Sequence, residues 1–200
     1  MQIQPTIKSR PVYGILSPQP GKDHLFIADA EGAEAILDLA KTAPENFFAG
    51  AEIVYIPRST GDRYTGPLQA LSPARFYEGP SISAALPRLK QTLATARMAL
   101  RLYLSGTEGL IGQAMQAATE AGIDHSSIQT EHRGSLARRV QCVHCKGVTE
   151  DVTTQPVTCA QCGLLLLVRD HYSRRLAAFQ GVCINAEDQS EQVPVEEVFR

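Results

Sequence analysis

The chain has no tryptophan, six tyrosines and six phenylalanines, so aromatic residues make up 6% of its 200 positions. A platform of stacked aromatics for single-stranded nucleic acid is therefore not expected. Long apolar runs are missing too: the longest is Leu164–Val168, against roughly 20 residues for a membrane-spanning helix. Met1–Arg10 is polar and lacks the apolar centre of a signal peptide, so the expectation is a cytoplasmic protein that meets no membrane. Neither sign of charge dominates, with 19 basic and 21 acidic side chains and a formal net charge of −2. Bulk charge thus gives no reason to expect nucleic acid as a partner. A hydrophobic fraction of 44% with 15 glycines and 12 prolines is globular composition, neither disordered nor collagen-like. The length suits one full domain, or a domain of about 130 residues with a small appendage.

What is present is unevenly placed. Arg133–Arg175 carries seven basic residues against three acidic ones, and Cys183–Arg200 carries five acidic against one basic. The end of the chain, Asn185–Arg200, reads as a solvated acidic tail, either free or docked on the basic segment or on a partner.

Four of the five cysteines form Cys142-Val-His-Cys145 and Cys159-Ala-Gln-Cys162, two C-x-x-C pairs with thirteen residues between them. Pairs at the two ends of a short excursion let two tight turns face each other, so that four thiolates take the corners of a tetrahedron around one metal ion. Gly163 directly after the second pair, and Lys146-Gly147 after the first, let backbone N–H groups turn toward the sulfurs. Val148–Val157 and Leu164–Val168 read as the strands of a zinc-ribbon hairpin. Two disulfides are the competing arrangement, one that a reducing compartment would not maintain. Four sulfurs suit structural zinc, and also a single iron ion or, with looser geometry, an iron–sulfur cluster. A closed four-sulfur site leaves no open position for a substrate. His144 and His171 are not needed as ligands, and Cys183 reads as a small buried hydrophobe.

Before the ribbon, strand and helix patterns alternate. His24–Ala30 is an apolar run of strand length, followed by Ala33, Ile36, Leu37 and Ala40 at helical spacing. Ala51–Ile56 is a second strand of the buried type, and Arg75–Tyr77 a weaker third. Leu86, Leu89 and Leu93 mark a helix with Pro87 in its first turn. Ala99–Leu104 is a strong strand, ending where Ser105 and Glu108 have the spacing of a capping box. Leu110, Ile111, Ala114, Met115, Ala118 and Ala121 mark the next helix, which stops at Gly122; Ile128–Glu131 is a last short strand. The alternation predicts an α/β fold, a Rossmann-like parallel sheet covered by helices on both faces.

The stretch Leu102–Met115, with Glu120–Asp124 and Ile128–Glu131 after it, resembles the end of the NAD(P)-binding domain of ferredoxin reductases. His24–Glu31 is similarly like the first strand of that domain in siderophore-interacting flavin reductases. The departures from that pattern carry information of their own. No glycine-rich phosphate loop follows the first strand, and Asp29 and Glu31 put two carboxylates where a pyrophosphate would sit. Ser105 stands where the reductases have cysteine, and Thr107 where they have proline. The weak cofactor-binding candidates are Gly106 and Thr107 at the fourth strand and Arg58-Ser59-Thr60 after the second, with Arg58 the residue that could meet a ribose phosphate. The carboxylates argue against NAD(P)H binding on this chain.

The layout as a whole, most specifically Cys142–Gly181, resembles the small subunit family of bacterial dimethylamine monooxygenase. That resemblance implies a multisubunit, NAD(P)H-dependent oxygenase that removes a methyl group from a secondary amine as formaldehyde. It also implies a flavin and [2Fe–2S] reductase subunit and a haem-bearing oxygenase subunit as partners, with those cofactors on the partners and not on this chain. The organisation expected is an N-terminal extension over 1–22, a reductase-like α/β domain over 23–135, a four-cysteine ribbon over 136–182 and an acidic tail over 183–200. In this reading Cys142, Cys145, Cys159 and Cys162 hold the metal and the chain is a non-catalytic assembly subunit. Arg169, His171, Tyr172, Arg174 and Arg175, on the strand leaving the metal site, form the partner-binding surface. A stand-alone NAD(P)H oxidoreductase or electron relay, and a zinc-ribbon adaptor for protein or nucleic acid, are the alternatives.

Overall fold

The computed structural model describes residues 10–58, 62–188 and 193–200. The chain divides into two compact units, Tyr13–Ser135 and the described part of Met1–Val12 with Leu136–Arg200. None of the helices among the described residues is long and apolar enough to cross a membrane.

The first unit is built from β1 (Asp23–Asp29), α1 (Gly32–Ala40), β2 (Ala51–Ile56), α2 (Thr65–Ala70), β3 (Arg75–Glu78), α3 (Ile82–Ala94), β4 (Leu100–Gly106), α4 (Glu108–Glu120) and β5 (Ile128–His132). The strands form one sheet in the order β3-β2-β1-β4-β5, and every pairing is parallel. A central parallel strand is covered on both faces, which is why β1 and β2 read as unbroken apolar runs. Alternate residues serve opposite layers. Leu25 and Ile27 pack with α3 and α4 through Leu89, Leu93, Leu110 and Ile111; Phe26 and Ala28 pack with α1 and α2 through Ile36, Leu39 and Leu68. Phe26 and Tyr103 stack at 4.4 Å between ring centroids, and burying each such side chain stabilises the unit by about 1.5–3 kcal/mol.

Residues 13–22 do not stand apart from this unit. Gly14 N–H donates to the Thr130 carbonyl and Lys22 N–H to that of Ala99, and the buried Glu131 carboxylate accepts from Leu16 N–H at 2.7 Å.

Two local expectations are corrected. Ser105 is not a helix cap: it is buried in β4 and donates its hydroxyl to the Gly32 carbonyl at 2.8 Å, while Thr107 caps α4. Pro87 lies past the first turn of α3, because Ser81 caps that helix from Ile82 by accepting from Ala84 N–H. The short α2 had no expectation; it buries only Leu68, too little periodicity to read. Gly122 ends α4 as expected, with φ of 75°.

His24 sits 8% exposed against Phe47 and the Tyr103 hydroxyl. Burial holds its pKa below the ordinary 6.5, with Asp23 opposing and Arg101 assisting. Folded protein therefore binds fewer protons here than unfolded chain, so the stability from the neutral ring is complete above about pH 6.5 and falls as pH drops through the folded value. The thermal midpoint of the α/β unit is expected to decline over that acidic window, and His24→Gln to flatten the decline. An unchanged slope in the variant would assign the acid sensitivity to another group.

The second unit holds β6 (Arg138–Cys142), β7 (Val148–Val152), β8 (Thr154–Gln155), β9 (Val157–Thr158), β10 (Leu165–Ser173), β11 (Ala178–Cys183) and β12 (Glu196–Glu197). Its main sheet runs β7-β6-β11-β10-β9. This corrects the expected hairpin of Val148–Val157 with Leu164–Val168. Each C-x-x-C pair instead turns its own hairpin, β6 with β7 and β9 with β10, and β11 joins them, parallel to β6 and antiparallel to β10.

The end of the chain is not a free tail. Glu196–Glu197 pairs with β8, and Phe199 is buried in the core of this unit. The Arg138 guanidinium lies between the Phe179 and Phe199 rings, 4.0 and 4.1 Å from their centroids, and pairs with Asp170 at 2.9 Å. A cation held between two rings and a carboxylate satisfies a buried charge while closing an apolar core.

Candidate functional site

The two cysteine turns have the same backbone construction. Cys142 N–H donates to the Gly147 carbonyl and Lys146 N–H returns to Cys142; Cys159 N–H donates to Leu164 and Gly163 N–H returns to Cys159. Both turns need a left-handed residue after the second cysteine, Lys146 at φ 64° and Gly163 at φ 74°. A Cβ on Gly147 would come within 2.2 Å of Gln161, so the first turn can approach the second only with glycine there.

This construction brings the four sulfurs of Cys142, Cys145, Cys159 and Cys162 within 4.8 Å of one another. Cys142 and Cys162 are 3.9 Å apart and Cys145 and Cys159 3.7 Å. Four thiolates around zinc at ~2.3 Å would be separated by about 3.8 Å. The cysteines are free of disulfides, and the four sulfurs could bind one metal ion. Gly147 N–H donates to Cys145 Sγ at 3.3 Å. Burial pushes the Cys159 thiol up, but N–H groups of Cys162 and Gln161 outweigh it and bring its pKa down to about 6. At Cys162 the Leu164 N–H lowers the pKa, yet burial and the neighbouring sulfurs prevail and raise it to about 12. His144 and His171 are exposed and stand outside the sulfur cluster.

The residues expected to face a partner divide between two sides of β10. Arg169 and His171 are exposed on the strand, and Arg174 and Arg175 are exposed in the turn before β11. Tyr172 goes the other way, packing edge-on against Phe179 at 5.0 Å.

At the other candidate site, the carboxyl ends of β1 and β4, the three weak cofactor candidates converge. Ligands of such sheets bind where the strand order reverses, here between β1 and β4. Asp29, fully buried, fills that point. It accepts from Thr107 N–H at 2.8 Å and from the Thr107 hydroxyl at 2.7 Å. The Arg58 guanidinium lies 3.5 Å from Asp29 Oδ2, the oxygen that accepts from the Thr107 hydroxyl, and 3.4 Å from that hydroxyl; Ser59 and Thr60 lie outside the described residues. A Cβ on Gly106 would stand 1.9 Å from Asp29 Oδ1. The helix N–H and the cation that a phosphate would use are thus engaged by a side chain of the protein itself. These residues do not fit a dinucleotide phosphate. Sequence reasoning had placed a repelling charge here; the missed feature was that Thr107 and Arg58 hold it. A cavity of about 330 Å³ lies at the opposite end of the sheet, lined in part by His24, Glu52 and Arg75, and both Glu52 oxygens there are engaged by Arg75 and Arg88.

Residues 5–128 match the N-terminal domain described as "Dimethylamine monooxygenase subunit DmmA-like", and residues 139–182 match the corresponding C-terminal domain. The chain belongs to the DmmA-like family. A DmmA-like chain is similar to the heme-dependent oxidative N-demethylase delta subunit of Ectopseudomonas mendocina (strain ymp), 37% identical over 108 residues, which is 54% of this chain and 62% of that relative. The chain therefore spans less than two thirds of that curated relative. Among solved structures it is similar to phthalate dioxygenase reductase, at 12% identity and TM-score 0.47, over 72% of this chain and 47% of the other. It is also similar to the flavohem-like FAD/NAD-binding domain of nitric oxide dioxygenase from Vibrio cholerae O1 biovar El Tor. There the identity is 18% and the TM-score 0.43, over 62% and 56% of the two chains.

Proposed function

We propose that this DmmA-like chain is a non-catalytic subunit of an N-demethylating oxygenase complex, in which a metal-stapled ribbon serves assembly. The complex as a whole would use NAD(P)H and dioxygen to remove a methyl group from a secondary amine such as dimethylamine, releasing formaldehyde. Flavin, [2Fe–2S] and haem chemistry would belong to the partner subunits, a reductase and an oxygenase. The observation that carries the reading is the Asp29 carboxylate seated at the strand ends on Thr107 and Arg58. With the Thr107 N–H and the Arg58 cation so engaged, a phosphate at these residues would have to displace the Asp29 carboxylate. The similarity to a delta subunit of an oxidative N-demethylase supplies the complex.

In the ribbon, Cys142, Cys145, Cys159 and Cys162 would hold zinc, which supplies a fixed tetrahedral crosslink. The expected result for purified protein is one zinc per chain, no colour, and no measurable heat when NADPH is titrated in. A micromolar dissociation constant for NADPH would overturn the non-catalytic reading.

A second reading, an electron relay through iron in the same four sulfurs, is favoured by the N–H groups directed at Cys145 and Cys159. Hydrogen bonds to sulfur tune an iron site as readily as they settle a zinc site. One iron per chain with a visible absorption band that bleaches on reduction would select the relay.

A further inference from the structure

Antiparallel sheets in small domains present one apolar face to the core and a polar face to water. The ribbon sheet departs from this. Leu166 and Val168 of β10 point into its core, so Leu165 and Leu167 occupy the opposite face. There Leu167 pairs with Val182 across β11, and Ile184 N–H donates to the Leu165 carbonyl. Leu165, Leu167, Val182 and Ile184 are only half-buried, and none of them belongs to any of the three apolar clusters among the described residues. The chain's longest apolar run, Leu164–Val168, therefore marks a strand that is apolar on both faces and, among the described residues, packed into an apolar cluster on one only.

The same face continues into cations. Arg169 lies in line with Leu165 and Leu167, His171 is exposed in the irregular stretch between Arg169 and Tyr172, and Arg174 and Arg175 follow in the turn. Elsewhere in the ribbon unit Arg10, Arg138, Arg139 and Arg200 each have a carboxylate partner. Arg169, Arg174 and Arg175 have no ion pair among the described residues.

We propose that this outer face of the ribbon sheet docks another subunit of the N-demethylase complex, through an apolar patch on that subunit rimmed at one end by carboxylates. The proposal rests on the subunit reading above and identifies the face and the chemistry of its partner. Charge decides between occupants. A second copy would have to set this patch against itself, offering the arginines another cationic rim or an aliphatic end and no carboxylate in either case. A lipid surface is matched by aromatic anchors at the interface, and Leu165, Leu167, Val182 and Ile184 are all aliphatic. An apolar centre with a charged rim is instead the ordinary anatomy of a protein–protein contact.

The test is sedimentation velocity of the full-length, metal-loaded chain mixed with the other subunits of its own complex. Leu167→Asp and the milder Leu167→Asn are compared with wild type and with Met98→Asp, a fully exposed position in the α/β unit. Metal content and thermal midpoint identify the variants that remain folded. Leu167→Asp is expected to weaken association by about tenfold or more, and Met98→Asp to leave it unchanged. Arg169→Glu with Arg174→Glu is expected to weaken it more at low salt than at high salt.

If both folded Leu167 variants assemble like wild type, the docking face is wrong and the subunit reading stands. If wild type associates with none of those subunits, the subunit reading fails and takes the docking proposal with it. Self-association or binding to anionic phosphatidylserine vesicles that Leu167→Asp abolishes would overturn the proposed partner.

Discussion

Cys159→Ser is expected to abolish tight metal binding and to unfold the second unit while Tyr13–Ser135 stays folded. Among the described residues the second unit's buried apolar cluster has eight members, two of which are the cysteines Cys142 and Cys159. A core of that size in a unit of roughly 70 residues supplies only a few kcal/mol, whereas a structural zinc contributes on the order of 10 kcal/mol at neutral pH. A zinc held by these four sulfurs would therefore stabilise this unit more than its apolar core does. Without Cys159 the turn that brings β9 and β10 to the centre loses its anchor, and the remaining three sulfurs are left with a vacant corner.

Limited proteolysis with mass spectrometry should show cleavage beginning at Arg138-Arg139 and a resistant fragment ending near Ser135. Cys183→Ser is expected to keep both metal and resistance, because Cys183 lies outside the sulfur cluster. A Cys159→Ser protein that retains one metal and wild-type resistance would overturn the four-sulfur site.

The four metal-site residues were legible because spacing alone constrains two C-x-x-C turns. The strands of the α/β unit were legible because a buried parallel strand is a continuous apolar run, which is how Ala51–Ile56 reads. In the ribbon, Leu164–Val168 was legible as the start of β10, but β6 and β11 were not. Arg138-Arg-Val-Gln-Cys142 places a cation at a core position, and the Phe179 and Phe199 rings on either side of it, with the Asp170 carboxylate, make that position tolerable. No local pattern announces a partner sixty residues away. The acidic end was left open between a free and a docked tail, and it docks on the basic segment, where Phe199 packs beside Arg138 and Glu196–Glu197 pairs with β8. At the strand ends the relation between residues was out of reach: Arg58, Gly106 and Thr107 were read as weak cofactor-binding candidates, and the structure sets them around Asp29.

That relation also makes a steric prediction. Gly106→Ala is expected to destabilise the α/β unit by about 3 kcal/mol or more. Gly106 has φ of 123°, a region in which an L side chain costs about 1–3 kcal/mol. The added Cβ would stand 1.9 Å from Asp29 Oδ1 and 2.8 Å from the Asp29 carbonyl oxygen, so the carboxylate must leave its place. Asp29→Ala alone is expected to cost about 1–3 kcal/mol, because Thr107 N–H loses its acceptor in a buried position. The double variant removes the carboxylate that the new methyl group would strike, so its destabilisation should fall short of the sum of the singles by about 1 kcal/mol or more. Denaturant unfolding of the three variants measures this directly, with the metal site intact throughout. Additive costs would mean that the Asp29 carboxylate does not rest against Gly106. The strand ends would then be open to a phosphate, and the case against NADPH binding would lose its physical basis.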